Sequence, residues 1–427
     1  MSRREPARPD AAEAKRLVAE ATRLQAAGDH AEAAKAYQQA LEHDPSNGEA
    51  ASRLARCHEA TRAWSRAVEA WRIAVELGRE FAGDAPPARP RTSNATGTTS
   101  HIDRVIGLAE ALRQARCHLA ALDAYTRALE IDDTHLFALA GKGETLRMLG
   151  RFGAAETWFD RALTVHGEHA FALRGKAATL SALGRFEESE RLWSRALAID
   201  PTSSFAHQGL DETRRRAREA AGSLIAVADP PTPTEERLES DRWVEWGRAL
   251  LRDDRAEEAS DALSRAVEAD RTNDRALSER AQVLESLGEW EGACDVWASL
   301  ASQDPDRLDA RCSLAECLRK AERYGQALEA YDGVLAVDPD YVFALAGRAE
   351  ALRMLGHDEQ ALAGFDAALA RKPTHAFAMR GKAATLAAIR RHQEAIPLWQ
   401  RSLDLDPGNA FAQAGLSESQ AAGAASR

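Results

Sequence analysis

The chain has 427 residues, 44% hydrophobic and 29% charged, with abundant Ala and few Gly or Pro, which favours helix over strand. Its formal net charge of −11 argues against nucleic acid as a partner, since a polyanion would be repelled and no basic stripe offsets the charge. No apolar run is long enough to span a membrane, and the five cysteines show no CxxC spacing, so reduced thiols in a cytoplasmic protein are expected.

Residues 1–13 are polar, lack the apolar core of a signal peptide and read as a disordered tail. From residue 14 apolar positions recur at three- and four-residue spacing, broken by short polar turns, which predicts pairs of amphipathic helices. One phrase marks the second helix of each pair. It reads GDHAEAAKAYQQAL from Gly28, ARCHLAALDAYTRAL from Ala115, GRFGAAETWFDRAL from Gly150 and GRFEESERLWSRAL from Gly184, the last two 34 residues apart. Gly150 should end a first helix, because Gly takes the left-handed conformation there at least cost. Pro45, Pro201, Pro305, Pro339, Pro373 and Pro407 should stop second helices, which Pro cannot continue. About residues 79–101 a stretch rich in Pro, Thr, Ser and Ala reads as a flexible insertion between the second and third pairs.

After the fifth pair SSFAHQGLDETRRRAREAA predicts a single terminal helix. Its Arg214, Arg215, Arg216 and Arg218 lie where positive charge complements the helix dipole. Residues 222–235, with Pro230 and Pro231, read as a stiff linker. From residue 236 the phrase returns as GEWEGACDVWASL, ERYGQALEAYDGVL, GHDEQALAGFDAAL and RRHQEAIPLWQRSL, and NAFAQAGLSESQ predicts a matching terminal helix before a short tail at 421–427. FALAGKGETLRMLG at Phe137 and FALAGRAEALRMLG at Phe343 agree at eleven of fourteen positions, and the offset of 206 runs without a gap from 101–210 to 307–416. A block of five units duplicated whole is the expected origin, giving blocks at 14–221 and 236–420.

Ten units carry a small residue at one fixed position: Ala33, Ala67, Ala121, Ala155, Ser189, Ala259, Ala293, Ala327, Ala361 and Ala395. Four positions on stand Tyr37, Trp71, Tyr125, Phe159, Trp193, Leu263, Trp297, Tyr331, Phe365 and Trp399. This pattern resembles the tetratricopeptide repeat family. The resemblance implies an all-α fold: a right-handed α-solenoid of about ten helix-turn-helix repeats in two duplicated five-repeat blocks, each closed by a capping helix. Where the family usually has leucine, four units have Lys142, Lys176, Arg348 and Lys382, read as stems on the core with charged heads in water.

The resemblance also implies a concave recognition face lined by the first helix of each repeat. Its candidate partner-binding residues are Phe137, Phe171, Phe343 and Phe377, then Arg174 and Arg380, then Glu110, Glu144, Glu316 and Glu350, and Arg113, Arg147, Arg319 and Arg353. Phe205 and Phe411 repeat the aromatic position. The Glu and Arg residues stand three apart on one helix and could equally pair with each other, and the phenylalanines could staple neighbouring repeats. The family's clamp for chaperone tails is not expected, since Val18, Thr22, Val244 and Arg248 occupy its Lys and Asn positions.

No P-loop, GxSxG or dinucleotide fingerprint is present. His166 and His169 stand three apart in a predicted inter-repeat turn, and no His, Cys and carboxylate set has metal-ligand or nucleophile spacing. The expected function is therefore a non-enzymatic adaptor or scaffold, without cofactor or metal, that binds partner proteins or extended peptides in the concave grooves of two blocks. Two near-identical grooves would accommodate two copies of one ligand. The alternative is a self-assembling structural protein that forms homo-oligomers.

Overall fold

A computed structural model describes residues 11–82, 101–219, 233–304 and 306–425. Most of the N-terminal tail, the insertion and the linker lie outside these residues. The described residues form twenty-two helices and no strand. The first eleven are α1 (Ala11–Ala26), α2 (His30–His43), α3 (Gly48–Ala60), α4 (Trp64–Ala82), α5 (His101–Gln114), α6 (His118–Ile131), α7 (Leu136–Met148), α8 (Phe152–Val165), α9 (Ala170–Ala182), α10 (Phe186–Ile199) and α11 (Ser204–Glu219). Next come α12 (Glu235–Arg252), α13 (Ala256–Ala269), α14 (Asp274–Leu287), α15 (Trp290–Gln303), α16 (Leu308–Lys320) and α17 (Tyr324–Leu335). The last five are α18 (Val342–Met354), α19 (Asp358–Arg371), α20 (Ala376–Ala388), α21 (His392–Leu405) and α22 (Ala410–Ala425). α22 thus runs through most of the segment expected as a tail.

Two compact units divide between Ala262 and Leu263, inside α13. From α1 to α11 and from α14 to α22 successive helices pack as neighbours, in the manner of an α-solenoid. Contacts also pass over one helix: α5 meets α7, α7 meets α9 and α9 meets α11, while in the second unit α16, α18, α20 and α22 do the same. The helices making these contacts are the first helices of the repeats, so each unit has a continuous surface built from them.

Every small residue singled out above is fully buried, and the bulky residues four positions on are at most 6% exposed. The small side chain lets two helices approach, and the ring of a second helix then fills the space beside the next repeat. A ridge of glycines receives those rings. A Cβ on Gly141 would lie 2.4 Å from Tyr125, one on Gly175 2.3 Å from Phe159, and one on Gly381 2.3 Å from Phe365. Ring and glycine are sixteen residues apart in each case, a spacing absent from the family pattern used above.

Helix ends follow local rules. Gly28, Gly150, Gly184, Gly288 and Gly356 have positive φ at the ends of first helices, as expected for Gly150. Arg62, Arg116, Asp254, Glu322 and Arg390 hold the same left-handed conformation without being glycine. Second helices end at Asp44, Asp200, Lys372 and Asp406, each directly before one of the predicted prolines. Pro397 lies inside α21 and was not foreseen. Arg214 and Arg215 on α11 pair with Glu190, Glu212 and Glu219.

The four basic residues at the family's leucine position do not end free in water. Lys142 Nζ lies 3.9 Å from the centre of the Trp158 ring. Lys176 pairs with Asp160 at 2.5 Å, Arg348 with Asp332 at 2.5 Å, and Lys382 with Asp366. The acid sits on the preceding second helix in all three pairs, within reach of a long flexible stem.

α12 was expected to open the second block. It packs against α4 and α6.

Candidate partner-binding face

Phe137 is the second residue of α7, and its ring is 66% exposed; Phe343 holds the same place on α18 and is 60% exposed. An apolar ring in that state gains nothing from water. Neither stands alone. The Phe137 ring meets His169 edge-on at 5.8 Å, and His169 in turn meets Phe171 at 6.4 Å, with His135 on the other side of Phe137 at 6.2 Å. In the second unit Tyr341, Phe343, His375 and Phe377 form the same ladder, with successive centroids at 6.3, 5.5 and 6.4 Å. Phe205 and Phe411 lean edge-on against the core rings Trp193 and Trp399 at 5.8 and 5.4 Å.

The histidines in the ladder have a local task. His169 and His375 precede the first turns of α9 and α20, and their Nδ1 atoms accept the N–H of Ala172 at 3.4 Å and of Ala378 at 3.2 Å. An accepting Nδ1 must carry no proton. Burial, then His166 and Arg174, hold His169 below the ordinary histidine range. Burial, then Lys372 and Arg380, do the same for His375. The sequence places His169 in a turn but does not show the cap. The missed signal is a ring or imidazole two residues ahead of Phe, in THLF, EHAF, DYVF and THAF.

In the second unit the ladder lines a cleft of 530 Å³. Tyr341, Phe343, His375 and Phe377 form its apolar side, Lys372, Thr374, Ser313 and Asp309 supply polar atoms, and Glu316 and Tyr331 stand behind. Lys372 Nζ lies 5.8 Å from the Phe343 ring and Arg319 Cζ 5.6 Å from Phe377, both within cation–π range. At the offset of 206 the first unit has His166 for Lys372, Glu168 for Thr374, Gly107 for Ser313 and His135 for Tyr341. The aromatic ladder is common to both units, whereas of the polar edge only Asp309 has its like, in Asp103.

The predicted acids and bases pair within their own helices. Glu144 and Arg147 join through two bonds of 2.9 and 2.7 Å, and Glu350 and Arg353 through 2.9 and 2.6 Å. Glu316 and Arg319 form the same fork at 2.9 and 2.5 Å, and Glu110 pairs with Arg113 likewise. Tyr125 and Tyr331 donate to Glu110 and Glu316 at 2.9 and 2.8 Å, tying the pair to the second helix of the same repeat. Burial alone would raise the pKa of Glu110, but the bonds from Arg113, Gln114 and Tyr125 bring it below the usual carboxylate range. Arg319 and Tyr331 do the same for Glu316. Arg174 donates to Ser203 at 3.1 Å and stands 5.9 Å from the Phe205 ring, while Arg380 reaches Asp406 at 4.0 Å. Met148 and Met354, directly after Arg147 and Arg353, are half-exposed and were not singled out in the sequence.

A family model for the tetratricopeptide repeat matches residues 24–71, and a second matches residues 244–307 and 312–376. The matched stretches are tetratricopeptide repeats. A tetratricopeptide repeat protein from Parabacteroides merdae is 17% identical, with 64% of this chain and 99% of that one covered and a TM-score of 0.39. The P58(IPK) TPR domain is 15% identical over 77% of this chain and 99% of that one, with a TM-score of 0.32. MamA from Desulfovibrio magneticus RS-1 is 17% identical over 42% and 99%, with a TM-score of 0.37. A search among curated proteins found no match. Tetratricopeptide repeats are in general protein-interaction scaffolds. Among the described residues no group of three His, Cys, Asp or Glu could hold a metal ion, and no helix is long and apolar enough to cross a membrane.

Proposed function

We propose that this chain is a non-enzymatic adaptor that binds extended peptides or partner helices on the first-helix faces of its two blocks, 14–221 and 236–420. The observation that carries the reading is the exposed aromatic ladder, which recurs in both units and lines a cleft in the second. Aromatic anchors beside Arg or Lys carry most such interfaces. Phe137 and Phe171 would be the anchors in the first block, and Phe343 and Phe377 in the second. Arg174 and Arg380 flank them. The Glu110–Arg113, Glu144–Arg147, Glu316–Arg319 and Glu350–Arg353 pairs would present backbone-facing polar atoms to the ligand. A cytoplasmic setting fits the five free cysteines, four of them buried.

Two ladders support the binding of two copies of one ligand, or of a dimeric partner, with avidity. The unlike polar edges favour unequal affinities for those two copies. A displayed library of random peptides, selected on the whole protein, tests the reading. Selected peptides should lose at least about tenfold in affinity on Phe343→Ala, the loss expected of a hot-spot residue. Failure to select any peptide, or selected peptides indifferent to both Phe137→Ala and Phe343→Ala, would remove the groove reading. For the bivalent version, a tandem peptide should suffer more from the double variant than from either single one. Equal loss from one substitution would leave a single working groove.

A further inference from the structure

Glu245 and Asp253 on the α12 segment stand eight residues apart, and each closes the first turn of a different helix of the first unit. Glu245 Oε2 accepts the N–H of Leu119, the second residue of α6, at 2.9 Å. Asp253 Oδ2 accepts the N–H of Ser65, the second residue of α4, at 2.9 Å. Eight residues span about 12 Å of helix axis, so one helix can bridge two successive second helices. The first N–H groups of a helix have no partner of their own, and Cys117, at the cap position of α6, offers α6 no side-chain bond. A carboxylate there satisfies an orphan donor and meets the positive end of the dipole.

Other contacts fix the same placement. Arg242 reaches Asp123 on α6 at 3.0 Å, and the Arg72 guanidinium of α4 lies 4.9 Å from the Trp246 ring. Arg255, just past α12, donates to Ser65 Oγ at 3.0 Å and to Glu69 at 2.8 Å. Cys117 Sγ donates to the backbone oxygen of Glu245 at 3.5 Å. Yet a cleft of 430 Å³ remains along the contact, lined by Leu112, Cys117, Ala120, Trp243 and Trp246 among others. The helix is thus held by polar groups and by Trp246, Ala249 and Leu250, which join the core of the first unit, with a cleft left beside them.

We infer that α12 is a ligand-like helix docked in cis on the second-helix ends of the first unit, and that the protonation of Glu245 sets how tightly it is held. The surface used is distinct from the proposed binding face, which belongs to the first helices, and the inference requires no partner. Burial pushes Glu245 up to about 7, against the opposing bond from Leu119. Asp241, Arg242 and Arg248 on its own helix act on it directly, Cys117 ahead of α6 faces it with Arg72 of α4 and Arg252 of α12 close by, and Asp123 of α6 holds Arg242. A carboxyl whose pKa is raised by docking binds its proton more tightly when docked. Docking is therefore strongest below the ordinary carboxylate range and weakens as pH rises toward about 7. His118 acts in the opposite sense: burial and then Arg113 and Arg116 hold it below the ordinary histidine range, so its contribution is lost as pH falls.

Hydrogen exchange of the full chain between pH 5 and 8, corrected for intrinsic rates and read by mass spectrometry, tests the inference. Protection of α12 and of Leu119 should fall with rising pH, by up to about tenfold per unit below neutrality, and then level off. Glu245→Gln keeps an oxygen for the Leu119 N–H but cannot ionise, so it should stay protected at pH 8 and lose the downward slope. Asp253→Asn should keep the slope, since the titrating group is untouched. Wild-type protection that does not change with pH would overturn the inference without recourse to any variant. A downward slope that survives in Glu245→Gln, or that vanishes in Asp253→Asn alone, would overturn it as well.

Discussion

Gly175 lacks a side chain because the Phe159 ring occupies that space, with a would-be Cβ 2.3 Å from its edge. Neither partner can retreat, since Phe159 is fully buried between helices. Gly175→Ala and Gly381→Ala should each lower stability by about 1–3 kcal/mol, the usual cost of overpacking a core. Gly325→Ala is the control: no atom lies within 4 Å of its would-be Cβ and its φ is not positive. It should gain about 0.4–1 kcal/mol by restricting the unfolded chain. Urea midpoints of the three variants check both signs. A fall for Gly325→Ala, or no change for Gly175→Ala, would contradict the packing account. The small and bulky positions were legible in the sequence because they repeat at a fixed place in each unit. The receiving glycine was not, because its partner belongs to the previous repeat.

At the scale of helices, the turns between repeats are built from side-chain caps. Asn47, Asn273 and Asn409 accept the N–H three residues on, as His169 and His375 do. An imidazole cap differs from an asparagine cap in one respect: acid destroys it. The depressed pKa of His375 means that its contribution is fully present above the ordinary histidine range, near 6.5, and is lost as pH falls through that range and below. Thermal melting should therefore show a steeper loss between pH 7.5 and 5 for the wild type than for His375→Asn. The difference at acid pH should approach about 1 kcal/mol, the usual worth of a cap. Parallel pH profiles would mean that the imidazole bond carries no weight. The same residues link element to site, since His375 packs between Phe343 and Phe377 in the candidate cleft.

At the scale of the whole molecule, α11 shows how the first run of repeats is closed. It buries Ala206, Leu210 and Thr213 and turns Asp211, Glu212, Arg215 and Glu219 to water. A charged outer face discourages further stacking, as a solenoid end requires. Light scattering across a concentration series should accordingly return the monomer mass of 46.4 kDa throughout. A mass that climbs with concentration would favour the self-assembling alternative over the adaptor.

The sequence by itself determined the helices, their pairing into repeats and the turn residues between them. These depend on contacts within a unit or between adjacent units, and so leave a periodic mark. It also pointed to Phe137 and Phe343, because core packing does not demand a ring there. Tertiary structure alone decided the rest. It joined Lys176 to Asp160, brought Tyr341 and His375 into one cleft with Phe343, and laid α12 on α4 and α6. The bond from Leu119 to Glu245 crosses 126 residues. A contact made once, at that separation, has no period in the sequence from which it could be read.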